Sequence, residues 1–474
     1  MKKKMGAVYL AATLILCLLP SVGMLWKHDE GSAENRKLAE LPSPRTEQGG
    51  NTDFLPELGE YFEDHFAYRQ EMVTADAVLR SSILGISTED GVIDGKDGWL
   101  YYKDSLDDYL GTNPLSDRAV YNIARTLRMI QDYVEGSGRN FLFTVAPNKN
   151  SLYGEFMPYY YGVKVSAEHN IDRLRSELDA QEVKYMDLYP LFEAEDEILY
   201  HKRDSHWNNK GAAMAADALL EALEKEHRSL ADLEFEVRKD FEGDLEKMLS
   251  PKRIVPEEEF YCTEDFTYEY TGEVESNFDP DIQTVCEGKS GSLLMYRDSF
   301  GNALLPFLAE EYENARFTRG VPYYLDDMMF CLADDVIIER AERFLPDMAE
   351  NPPVFQSPEV EEVLSHLSEA VAAQENDTDC EVTDDGLFVK LSGLVDEELL
   401  KAHSRIYLSV DGETVYEAFP MSVSSENRKS DAGYAVYIEK ERLIDEEINI
   451  KLYLEQEDQL VQIYDSTAAL EIIM

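Results

Sequence analysis

The sequence predicts an α/β chain: a three-layer domain on a parallel sheet, with an N-terminal transmembrane helix before it and an all-β, sandwich-like domain after it. Three observations carry this. Apolar strand-like runs alternate with amphipathic helical periods between residues 119 and 338, the pattern of a parallel sheet covered on both faces. Beyond residue 380 the helical period gives way to short segments rich in β-branched and aromatic residues, such as LFVKLSG, RIYLSV and INIKLYLE, spaced as in a sandwich. An apolar run from Met5 to Trp26 follows Lys2, Lys3 and Lys4. It is long enough to span a bilayer, with the basic cluster on the inside.

No small-x-small cleavage site marks the end of that run, so residues 1–27 read as an uncleaved signal anchor. Leu16 stands where a lipobox before Cys17 needs a small residue. Everything after Lys27 is then expected outside the cytoplasm. Residues 28–53 are polar with Gly, Ser and Pro and read as a linker. Leu58, Tyr61, Phe62, Phe66 and Met72 follow a helical period within 54–86. GVIDGKDGWLYY, 91–102, reads as a hairpin or strand entry. Next come helix Ala119–Val134, strand Asn140–Val145, helix Ala167–Gln181, a short strand Lys184–Asp187 and an alanine-rich helix Gly211–Lys225. An irregular acidic section leads to strand Ser292–Tyr296, helix Asn302–Tyr312 and strand Val336–Ile338. Pro352, Pro353 and Pro358 punctuate a second linker, 351–379, with a short helix Val360–Gln374. The domains expected are therefore 54–350 and 380–474.

With 474 residues, 44% hydrophobic and 11% aromatic, most of the chain should fold. Asp and Glu total 96 against 44 Lys and Arg, a formal net charge of -52. Such a polyanion repels phosphate backbones, so nucleic acid is excluded as a partner. The five cysteines, Cys17, Cys262, Cys286, Cys331 and Cys380, form no CxxC and no Cys/His cluster with zinc spacing. No metal and no cofactor is expected. Cys262 and Cys286 are the pair able to bridge in an oxidising compartment.

DSHWNNKG, 204–211, places an Asp two residues before a His. In an acid–base reading Asp204 fixes one imidazole nitrogen of His206, leaving the other to accept a proton. The nucleophile candidate is Ser299, where the apolar run SLLMY meets RDSFG and then a helical period. A serine at such a turn stands at the carboxyl edge of a parallel sheet, and its amide, at a helix N-terminus, suits an oxyanion. The bland readings are helix caps at Asp204, Ser205 and Ser299 and ordinary core at Trp207. A metal reading of His206 has no HExxH to support it.

Taken in order, several stretches resemble the SGNH-hydrolase-like proteins of bacterial polysaccharide O-acetylation, the AlgJ/AlgX type, and their Gram-positive relatives called DHHW proteins. They are ENRKLAELP (34–42), YFEDHFAYR (61–69), DGWLYY (97–102), VAPNKNSLY (145–153), DSHWN (204–208), FEGDL (241–245), RDSFG (297–301) and IIERAERFL (337–345). The resemblance covers roughly 34–346. It implies an SGNH-like fold with Ser299 as nucleophile, His206 as base and Asp204 as orienter. It departs at Arg297, where the wider superfamily has Gly. The activity implied is extracytoplasmic O-acetyl transfer to a cell-envelope polysaccharide, with a multi-pass membrane O-acyltransferase as donor partner. Asn148 and Asn208 are candidate oxyanion donors. Lys149 and Arg319 are candidate contacts to an acidic glycan, and Trp207 a support beneath the loop. An esterase running the same triad, a non-catalytic glycan-binding or scaffold protein, and a wall-associated structural protein are the alternatives.

Overall fold

The computed structural model describes residues 90–470 except 231, 374–375, 426–427, 444–446 and 457–458, and before these 18, 22–24, 39–46, 49–51, 54–69, 71–72 and 74–75. The expected anchor, 1–27, falls almost wholly outside the described residues. Among the described residues, no helix is long and apolar enough to cross a membrane.

The first domain is built on a seven-stranded sheet. Its strands are β1 (Asn140–Ala146), β2 (Tyr185–Met186), β3 (Glu269–Tyr270), β4 (Asp281–Val285), β5 (Ser292–Tyr296), β6 (Asn314–Thr318) and β7 (Asp335–Ala341), in the order β2-β1-β7-β5-β6-β4-β3. The five strands from β2 to β6 are parallel. The expected parallel sheet is extended at one edge by two antiparallel strands, β4 against β6 and β3 against β4. The physical reason is a short connection: residues 286–291 join β4 to β5, too few for the helical crossover that parallel strands need.

Alternation along the strands builds two cores. Phe141, Phe143, Leu294, Tyr296, Val336 and Ile338 face one side, against helices α1 (Asp117–Gly136) and α2 (Asn170–Ala180). Leu142, Leu293, Met295 and Ile337 face the other, against α3 (Asn209–Ala222) and α4 (Gly301–Ala309). This is the three-layer arrangement that period-2 strands with apolar residues on both faces require. Helix α1 starts where Ser116 caps it, accepting from Ala119 N–H at 3.0 Å. Its apolar residues 120, 123, 124, 127 and 134 are buried.

The acidic section expected to be irregular holds an antiparallel hairpin, Phe235–Phe241 with Glu257–Cys262. Five of the seven residues of its first strand are exposed, so no apolar alternation announces it. The expected helix 54–86 is observed over Phe54–His65, and Tyr68 has a left-handed φ of 65°. The rest of that expectation lies mostly outside the described residues. The expected helix 360–374 is short, Glu361–His366 with a 3-10 turn, because Val371 and Ala372 pair with Val461 and Gln462 as a strand. Cys262 and Cys286 are both free thiols. The Cys286 thiol is buried and donates to Glu310 O at 3.6 Å.

From residue 371 the chain is β-rich. A five-stranded sheet (371–372, 459–469, 447–456, 406–410, 414–417) and a four-stranded sheet (381–385, 388–394, 428–439, 419–425) share one apolar core. The other face of the four-stranded sheet presents Phe388, Phe419 and Tyr437 to the core that α1 also lines. Arg125 of α1 makes a bidentate pair with Glu417 at 2.7 and 2.6 Å, and Arg118 donates to Ala402 O and Ser404 O.

Candidate active site

The carboxyl ends of β1, β5 and β7 converge on one edge of the sheet. Strand β5 ends in Arg297-Asp298-Ser299-Phe300 before α4. Asp298 organises this turn: its carboxylate accepts from Phe300 N–H at 2.9 Å and from Ala341 N–H, at the end of β7, at 2.6 Å. Gly301 is required, because a Cβ there would lie 2.6 Å from that of Arg297. Arg297 is 2% exposed, and its guanidinium donates to Asn277 O, Asp279 O and the Asn302 carboxamide. Arg297 thus ties the segment before β4 to the turn that carries Ser299. Burial and then the neighbouring Arg319 push its pKa down to about 10.

The structure brings Ser299, His206 and Asp204 together. His206 Nε2 lies 2.7 Å from Ser299 Oγ, and His206 Nδ1 lies 2.7 Å from Asp204 Oδ1. Asp204 Oδ1 also accepts from His206 N–H at 2.9 Å. A carboxylate held against Nδ1 places the proton there and leaves Nε2 facing the serine as acceptor. Burial disfavours the imidazolium, but the charge and hydrogen bond of Asp204 override it and raise the His206 pKa. For Asp204 burial acts upward, yet the His206 charge and hydrogen bond hold it well below the usual carboxylate range. Ser299 and His206 are part-exposed while Asp204 is buried, so the Ser299–His206 end of this chain of contacts meets solvent and the Asp204 end does not. Nδ1 and Oδ1 stand at hydrogen-bond distance, closer than two ligands of one zinc ion sit.

The Asp204 loop is clamped from several sides. Lys149 sends its ammonium to His201 O (3.0 Å), Lys202 O (3.0 Å) and Asp204 O (2.5 Å). Glu257 accepts from Lys202 and Arg203 N–H, and Glu259 from Asn209 N–H, while also pairing with His201 Nε2 at 3.0 Å. Asp244 takes Ser205 N–H at 2.8 Å and its hydroxyl at 2.6 Å, and gives its own N–H to Asp204 Oδ2 at 2.8 Å. Gly243 makes this approach possible, since a Cβ there would lie 2.2 Å from Arg203 O. Trp207 packs beneath, stacked on Phe192 and edge-on to Phe300, whose ring also meets His206 at 4.8 Å.

Two expected substrate contacts are corrected. Lys149 is 4% exposed with its ammonium spent on three carbonyls, and burial lowers its pKa to about 8. It holds the loop and is not free for a glycan. Asn208 is the N-cap of α3, accepting from Gly211 N–H at 2.9 Å and donating to Ile198 O at 3.1 Å, so its carboxamide is not an oxyanion donor. Arg319 donates to Asn302 Oδ1 at 2.7 Å and is part-exposed. Asn148 is 1% exposed, just past β1. Its N–H donates to Glu342 at 2.8 Å, and neither end of its buried carboxamide has a partner among the described residues. Sequence reasoning gave no role to Asp244, Glu257, Glu259 or Glu342. For two of these the signal was there, in FEGDL and IIERAERFL.

Residues 92–281 match the family described as ALGX, SGNH hydrolase-like domain, acetyltransferase AlgX. Ser299 lies beyond the matched stretch. No curated protein sequence matches significantly. Among solved structures the chain is similar to a DHHW family protein from Eubacterium siraeum DSM 15702, at 20% identity over 54% of this chain and 94% of that one, TM-score 0.41. It is similar to Bacillus cereus PatB1 with a sulfonyl adduct, at 14% over 54% and 97%, TM-score 0.40. It is similar also to the O-acetyltransferase domain of Pseudomonas putida AlgJ, at 18% over 54% and 92%, TM-score 0.37. The resemblance read from the ordered motifs agrees with that match: residues 92–281 are similar to an SGNH-hydrolase-like acetyltransferase family, and a β-rich region follows towards the C-terminus.

Proposed function

We propose that the chain is an extracytoplasmic O-acetyltransferase acting on a cell-envelope polysaccharide, with residues 54–350 as catalytic domain and 380–474 as accessory domain. The observation that carries this is the continuous chain of 2.7 Å contacts from Ser299 through His206 to Asp204, in a chain whose residues 92–281 match an acetyltransferase family. Ser299 Oγ attacks the acetyl carbonyl of a donor ester and passes its proton to His206 Nε2, which delivers it to the departing alcohol. A sugar hydroxyl then gives its proton to His206 and attacks the acetyl-serine. The carbonyl re-forms, and Ser299 leaves as the alcohol with that proton. The Ser299 amide and the Asn148 carboxamide hold the oxyanion in both halves. Arg319 is the basic group left for an acidic acceptor. A membrane O-acyltransferase supplies the acetyl group, and the anchor at 1–27 keeps the two enzymes on one surface.

The second reading is an acetyl esterase, because the same chain of contacts serves water as acceptor. The full-length protein in detergent is tested with a chromogenic acetyl ester, with and without oligosaccharides, beside Ser299→Ala and His206→Ala. Serine-dependent cleavage with acetyl mass appearing on a sugar supports the transferase. Serine-dependent cleavage with acetate as sole product supports the esterase. A folded protein with neither turnover nor a sulfonylated Ser299 would sink both and favour a glycan-binding role.

A further inference from the structure

We infer that Asp244 is a positioning residue for this site, a second carboxylate that sets both the geometry of the Asp204–His206 loop and the charge felt by the imidazole. The inference rests on the reading of Ser299, His206 and Asp204 given above. Three contacts support it. The Asp244 backbone N–H fixes Asp204 Oδ2, the oxygen that His206 leaves unused. Its side chain captures Ser205, the residue between orienter and base, through both the amide and the hydroxyl. Its Oδ2 lies 3.7 Å from His206 Nδ1, and Ser205 Oγ lies 3.2 Å from the same nitrogen. One residue therefore meets all three consecutive loop residues: Asp204 and Ser205 through hydrogen bonds, and His206 as a charge 3.7 Å from its Nδ1.

A loop that carries two reacting groups two positions apart needs such a grip. Within the triplet Asp204 orients the ring and takes the His206 N–H, and Asp244 adds a hold from outside on the Ser205 amide between them. Asp244 begins a short helix, Asp244–Leu249, and reaches the loop because Gly243 lets the backbone touch Arg203. The groups facing His206 are the Asp204 and Asp244 carboxylates, the Arg343 guanidinium, the Ser205 and Ser299 hydroxyls and the Phe300 ring. Asp244 itself faces Asp204, His206 and Ser205, with the Tyr102 phenol near it. The Arg343 charge opposes the imidazolium, and the two carboxylates favour it. Asp244 is thus the group whose removal tips that balance while the Asp204 bond stays intact.

The test is Asp244→Asn in the full-length protein, which keeps size and the Oδ1 acceptor of the Ser205 N–H, turns the bond with the Ser205 hydroxyl into one donated by the carboxamide, and removes the charge. The readout is the titration of the His206 ring by NMR, its signal assigned by its loss in His206→Ala. The expected result is a fall of the His206 midpoint by about one unit, with the acid limb of kcat/KM for acetyl-ester cleavage moving to lower pH in step. Ser205→Ala, which leaves both carboxylates, is expected to keep the midpoint near wild type. An unchanged midpoint in a folded Asp244→Asn protein overturns the inference. If the wild-type protein cleaves no ester, the functional reading fails, while the NMR titration still decides the role of Asp244.

Discussion

The carboxyl edge of the α/β sheet and the interior of the C-terminal β region solve burial in opposite ways. At the edge, Asp108, Lys149, Asp204, Arg297, Asp298, Glu339 and Glu342 are all buried. Between the two C-terminal sheets the core is Val389, Leu391, Leu408, Val436, Ile438, Ile450 and Leu452. Buried charge costs several kcal/mol per ion unless paired and hydrogen-bonded. The edge meets that cost with carboxylates bonded to backbone N–H groups and an ammonium bonded to carbonyls, while burial pushes the Asp108 pKa up to about 9 and that of Glu339 well above the usual carboxylate range, favouring their neutral forms. The β region takes the cheaper course of apolar transfer. The two kinds of burial should therefore respond differently to mutation.

The largest effect is expected from Ser299→Ala, which should lower acetyl-ester turnover by about 10⁴-fold or more and abolish sulfonylation of the serine, read by mass spectrometry. Asp204→Asn keeps the shape but presents the wrong tautomer, and a loss of about 10⁴-fold in kcat is expected; near-normal turnover would show that Asp204 does not orient the base. Asn148→Ala should cost about 10²–10³-fold in kcat with KM little changed, and a pure KM effect would remove Asn148 from the oxyanion site. On the other side of the comparison, Leu452→Ala should destabilise by about 2–5 kcal/mol in denaturant unfolding while kcat per folded molecule stays put.

The smallest effect is a pH displacement. His206 must be neutral to accept a proton, and its folded pKa is raised, so ester cleavage should fail on the acid side above the ordinary histidine value of about 6.5. Stability runs the other way for this residue. The raised pKa contributes stability that is full below the unfolded value and is lost as pH rises through the folded one. Asp204, whose folded pKa is depressed, contributes stability present above an unfolded value of about 3.9 and lost as pH falls through the folded one. Unfolding of wild type and His206→Ala across pH separates the two contributions.

Much of this edge was legible because it is local or periodic. Ser292–Tyr296 reads as a strand because SLLMY is a short apolar run, and in the structure all five residues are buried, while Asp204 and His206 declare each other by spacing. What stayed hidden depends on contacts between distant segments. Lys149 looks like an exposed base in APNKN, and only the fold shows its ammonium meeting carbonyls 52 to 55 residues away. Asn208 looks like a polar active-site residue because capping and catalysis use the same side chains. The hairpin Phe235–Phe241 with Glu257–Cys262 is polar on its outer strand, so strand periodicity is silent there. The two antiparallel edge strands follow from a return of the chain that no composition encodes.

Helix α1 has a consequence for the order in which the chain is made. Its Ser116 and Arg118 bond to partners at residues 402, 404 and 431, which lie 284, 286 and 315 positions further along. At ribosomal speeds of about 5–20 residues per second, one face of this helix waits on the order of 15–60 s for its cover. During that interval it is a site for a chaperone or for another nascent chain. Any truncation before residue 402 would make the waiting permanent.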